Sequence, residues 1–130
     1  MYYFSSKIQG SINEVEQLVV EALKQEGFGI MTEIDVQAKL KDKLDIDRPA
    51  YKILGACNPK LANDAIEHDP EIGVLMPCNV VVRESENGYV SVSFMDPVAV
   101  LGMSQNSELA KLAAEVRERL LRVQDALHGE

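Results

Sequence analysis

Two runs of alternating character, Cys78 to Glu84 and Tyr89 to Met95, flank Glu86-Asn87-Gly88, and this hairpin constrains the fold more than any other stretch. A tight turn forces antiparallel pairing, which argues against a purely parallel, doubly wound sheet. The register follows as well. A two-residue Asn87-Gly88 loop would set Val90, Val92 and Phe94 opposite Ser85, Arg83 and Val81, mixing polar and apolar residues on one face. A three-residue loop, Glu86 to Gly88 with Gly88 left-handed, pairs Val80 with Phe94, Val82 with Val92 and Glu84 with Val90. Because a one-residue slip exchanges the two faces, the second register is predicted, with Cys78 turned toward the core beside Val80 and Val82.

The rest of the chain supplies strands and helices by local signals. Tyr2 to Ile8 reads as a first strand ending at Gly10. Ser11 and Glu14 have the spacing of a capping box, and Ile12, Val15, Leu18, Val19, Ala22 and Leu23 form a helical stripe that Gly27 stops. Phe28 to Ile34 reads as a second strand, and Asp35 caps a short helix over Val36 to Leu44. Tyr51 to Cys57 is a third strand. Asn58 and Pro59 start a helix that runs to His68 and stops before Pro70. Ile72 to Met76 and Val98 to Met103 read as irregular connections. A long final helix begins near Ser107, burying Leu109, Leu112, Ala113, Val116, Leu120, Val123 and Leu127, with Glu115, Glu118, Arg119 and Arg122 outward. The predicted fold is α+β: a single curved, mainly antiparallel five-stranded sheet with helices packed on one face. One domain over residues 1–130 is expected, since no repeat or linker interrupts it.

Charge and composition narrow the function classes. With 21 acidic against 13 basic residues the net charge is -8, a field that repels phosphate backbones and anionic lipid head groups. Nucleic acid and membrane are therefore not expected partners. No apolar run approaches the roughly 18 residues of a membrane span, and no leader pattern opens the chain. Two cysteines are too few for a secreted disulfide scaffold, so a soluble, cytoplasmic protein with free thiols is expected.

Glu26-Gly27-Phe28-Gly29, Thr32-Glu33-Ile34-Asp35-Val36, Tyr51-Lys52-Ile53-Leu54-Gly55-Ala56-Cys57-Asn58-Pro59, Leu75-Met76-Pro77-Cys78-Asn79-Val80-Val81-Val82 and Met95-Asp96-Pro97, in that order, resemble the bacterial and archaeal domain-of-unknown-function family 302. The match runs from the first helix to the last. The resemblance implies a stand-alone α+β domain similar in architecture to one half of a TATA-binding protein, with no established activity and no catalytic residues to carry over. Shared architecture transports no function.

The chemistry-bearing residues cluster in two cysteine-asparagine pairs beside prolines, Cys57-Asn58-Pro59 and Pro77-Cys78-Asn79. Cys57 precedes a helix start, where the macrodipole favours a thiolate. If the third and fourth strands are antiparallel neighbours, both thiols share one end of the sheet and suit a soft metal or a redox pair. If the connection is a parallel crossover, about 23 Å of strand separates them. The bland alternative is that both fill strand ends as small apolar residues. Asn58 is accounted for as a helix cap, whereas Asn79, facing away from Val80, has no such duty. Asp96 falls opposite Cys78 at the end of the hairpin, with turn initiation as its ordinary role. Met76, Met95 and Met103 suit either an adaptable pocket or core gaps.

A zinc site is disfavoured, because Cys-x-x-Cys is absent and His68 and His128 are the only histidines. No triad or phosphate loop is present, and the sequence names no cofactor. The favoured reading is a non-enzymatic module binding a small ligand or soft metal near Cys57, Cys78, Asn79 and Asp96. The alternatives are a thiol-dependent redox or sulfur-handling enzyme, and an interaction domain acting as a homodimer.

Overall fold

The computed structural model describes residues 1–127. Five strands, β1 (Tyr3–Gln9), β2 (Gly29–Asp35), β3 (Tyr51–Cys57), β4 (Cys78–Glu84) and β5 (Tyr89–Met95), form one sheet in the order β1-β5-β4-β3-β2. Every neighbouring pair is antiparallel. The hairpin register is the one that the alternation requires, with Val80 opposite Phe94, Val82 opposite Val92 and Glu84 opposite Val90. Asn87 and Gly88 both take positive φ in its loop, and the Ser85 N–H donates to the Tyr89 carbonyl at 2.9 Å.

The helices are α1 (Ile12–Gln25), α2 (Val36–Leu44), α3 (Pro59–His68), α4 (Pro97–Leu101) and α5 (Ser107–Leu127). Their starts are chemically specified. Ser11 and Glu14 complete the capping box of α1, the Asp35 carboxylate accepts the Ala38 N–H at 2.9 Å, and the Asn58 amide oxygen accepts the Leu61 N–H at 3.2 Å. At the end of α1, Gly27 with φ of 85° lets its own N–H reach the Lys24 carbonyl and that of Phe28 reach the Leu23 carbonyl.

One face of the sheet carries the core. Ile8, Leu54, Ala56, Val80, Val82, Val90, Val92 and Phe94 are buried there beneath Val15, Val19 and Leu23 of α1 and Val116, Leu120 and Val123 of α5. Each valine, leucine, isoleucine or phenylalanine among them contributes about 1.5–3 kcal/mol on leaving water. A second, smaller cluster of Ala65, Ile72, Leu101, Leu109 and Ala113 ties α3, α4 and the start of α5 together, and Leu112 packs against both clusters.

Several local expectations are corrected. β1 and β2 each lie one residue further along than the sequence patterns suggest, and β2 carries a bulge between Ile30 and Thr32. Leu18 falls on the edge of the α1 stripe and stays 48% exposed. Ile72–Leu75 is a 3-10 turn, and the apolar run after Asp96 contains α4 followed by a 3-10 turn at Gly102–Ser104. The Asp96 carboxylate starts that helix by accepting the Val98 N–H, and Pro97 occupies its first turn. No described helix is long and apolar enough to cross a membrane.

Candidate functional site

Antiparallel pairing of β3 with β4 sets Ala56 directly opposite Cys78, so Cys57 and Cys78 lie at the same end of the sheet. They line a small apolar cavity of about 40 Å³ together with Phe28, Ala56, Leu61, Met76, Leu112 and Val116. This cavity sits at the seam between the two hydrophobic clusters. Its size admits little more than one water-sized group.

Burial, rather than the helix dipole, governs the thiols. The Cys57 thiol is pushed up by desolvation, although it stands just before the α3 cap. Cys78 is pushed up to about 11, first by burial and then by the neighbouring Cys57 sulfur. Both are free cysteines held as neutral thiols, the poorly nucleophilic form. Among the described residues no three His, Cys, Asp or Glu side chains gather as a metal site; His128 lies outside them.

Asp96 has a different occupation. Its carboxylate caps α4 and accepts the Arg117 Nε–H at 3.1 Å, and it lines neither this cavity nor the concavity described next. The methionines also part company: Met76 borders the thiol cavity, Met95 the opposite face of the sheet, and Met103 is 65% exposed.

Asn79 leads to the face that the helices leave open. Alternation along the strands puts Tyr3 of β1, Ser93 and Met95 of β5, Asn79, Val81 and Arg83 of β4, and Tyr51 of β3 on this side. Together with Tyr2 and Val100 they line an open concavity of about 500 Å³. Its floor follows the register: Ser93 lies opposite Val81, Tyr3 opposite Met95, and Arg83 opposite Tyr51. Thr32 of β2 stands opposite Gly55, whose missing side chain leaves room for the threonine and for the ring of Pro77.

The four sequence-predicted residues therefore divide. Cys57 and Cys78 share the thiol cavity, Asn79 belongs to the open face, and Asp96 holds α4 to α5. Sequence reasoning missed Tyr3, Tyr51, Arg83 and Ser93. Their signal was the polar or aromatic pleat opposite the valines, but only the strand order brings these pleats together.

Comparison with known proteins agrees with this architecture. The family model described as "Domain of unknown function DUF302" matches residues 4–127. A crystal structure of an uncharacterized conserved protein DUF302 from Bacillus stearothermophilus is similar, with 30% sequence identity over 98% of each chain and a TM-score of 0.89. No curated protein matches the chain. From its sequence and its fold alike, the chain belongs to the DUF302 family.

Proposed function

We propose that the protein is a non-enzymatic binding module whose guest occupies the open-face concavity. One observation carries this reading: about 500 Å³ of shaped space is lined by three tyrosines, Met95 and Val81, with Asn79, Ser93 and Arg83 as separate polar groups. Small-molecule sites commonly enclose about 300–1,000 Å³ and combine apolar walls with a few placed polar groups. The thiol cavity is far smaller, and a soft metal there would find two neutral thiols and no third ligand of the His, Cys, Asp and Glu set among the described residues. Thiol-dependent catalysis is disfavoured for the same reason, since burial opposes the thiolate at both cysteines. A reducing, cytoplasmic setting suits the two free thiols.

Non-denaturing mass spectrometry of the purified protein, alongside a Val81→Trp variant that fills the concavity and a Leu61→Phe variant that fills the thiol cavity, tests the reading. A retained small molecule lost only in Val81→Trp is the expected result. Loss only in Leu61→Phe, or no retained molecule together with concentration-dependent dimerisation, would overturn it. Dimerisation is the rival outcome because Tyr2 and Ile34 stand exposed beside this unpartnered face.

A further inference from the structure

The five arginines of the chain fall into two groups. Three lie on α5 and are paired: Arg117 with Asp96, Arg119 with Glu115 and Arg122 with Glu26. The other two border the open face. Arg48 lies over the Tyr51 ring, 5.9 Å from its centroid, and Arg83 stands opposite Tyr51 across the β3–β4 ladder. Among the described residues no carboxylate pairs with either. Among the described residues, Arg83 is the one lining residue of the concavity that is charged at neutral pH, and no acid lines it, in a chain of net charge -8.

From this, and resting on the binding role proposed above, we infer that the ligand is a small organic anion with a planar apolar body. Arg83 receives the acid group, a task suited to its fixed fork of N–H donors. The body lies along the strands over Val81 and Ser93 toward Met95 and Tyr3. Asn79 closes the far end, four residues from Arg83 on the same strand, a span of about 13 Å. Ser91, between Lys7 and Arg83 in the register, is 4% exposed, so the floor beneath these two exposed cations is covered. Lys7 itself leans toward Glu86 at 3.9 Å and leaves the role to Arg83, with Arg48 over the neighbouring Tyr51 ring.

Two naphthalene probes differing in one group test the assignment on the full-length, isotope-labelled protein: 8-anilinonaphthalene-1-sulfonate and its uncharged parent N-phenyl-1-naphthylamine. The sulfonate should shift the amide signals of Asn79, Val81, Arg83 and Ser93, bind more tightly than the parent, and weaken with added salt. Arg83→Gln should weaken it about tenfold, as expected for losing a charge-assisted hydrogen bond, and leave the parent unchanged. Circular dichroism of the variant checks that the sheet persists, and Arg83→Lys should restore part of the loss. If both probes shift the open-face amides equally and Arg83→Gln changes neither, the anion assignment is wrong while the site stands. If neither probe moves these signals, or the shifts centre on Leu61 and Leu112 instead, the site itself is wrong as well.

Discussion

Ala56 stands directly opposite Cys78 on the β3–β4 ladder, and that pairing holds the partly buried Cys78 thiol and Cys57 at one end of the sheet. The cost of ionising a sulfur in this position makes the fold sensitive to alkali.

Cys78 is pushed up to about 11 from an ordinary 9.0, so between these values the unfolded chain loses a proton that the folded chain keeps. The thiol's contribution is fully present below the unfolded value and is lost as pH rises through the folded one. The loss amounts to about 2–3 kcal/mol. Urea unfolding in reductant should show wild type falling relative to Cys78→Ala as pH rises from 8.5 to 10.5. Parallel profiles for the two proteins would show that the sulfur is solvated.

Asp96 does two jobs, accepting the Val98 N–H at 3.0 Å and the Arg117 Nε–H at 3.1 Å. Asp96→Ala should cost about 1–2 kcal/mol, mostly for the lost cap. Asp96→Asn keeps a capping oxygen and loses only the ion pair, whose partner is partly exposed, so it should cost under about 1 kcal/mol. Equal losses in denaturant titrations of the two variants would assign the effect to the ion pair instead.

A methyl group on Gly55 would collide with the Thr32 hydroxyl oxygen and lie 2.8 Å from the Pro77 ring. Gly55→Ala should therefore destabilise by about 1–3 kcal/mol, and Thr32→Ala in the same chain should recover part of it because the two sites are coupled. A melting temperature unchanged in the single variant would contradict the close approach.

Arg119 is expected from helical periodicity to point outward, yet its guanidinium donates to the Glu26 carbonyl at 2.8 Å, closing the end of α1 from α5. Arg119→Ala should cost about 1–2 kcal/mol and speed amide exchange at Gly27 and Phe28. Glu26→Ala, which removes the Arg122 pair but keeps the carbonyl bond, should affect those amides less. Exchange equally fast in both variants would place the effect in the ion pair.

What local chemistry specifies is legible without coordinates. Caps at Ser11, Asp35 and Asn58 mark helix starts, and the alternation around Glu86 to Gly88 sets the hairpin register, because these signals act over a few residues. The α4 helix is less legible, since five apolar residues carry too few turns to show a period, although Asp96 and Pro97 have the form of a helix start. The bulge in β2 is likewise invisible, since an extra residue in a ladder shows only against the partner strand it pairs with.

The chain's own residues thus determined its fold class, its hairpin and the turning of Cys78 to the core side with Val80. Only the tertiary structure decided that Asn79 and the two cysteines look into different spaces, and that Tyr3, Ser93, Arg83 and Tyr51, drawn from four strands, meet on one face. The reason is that a strand's periodicity fixes which side each residue takes, whereas strand order depends on burying both helices and sheet together, a choice summed over the whole core.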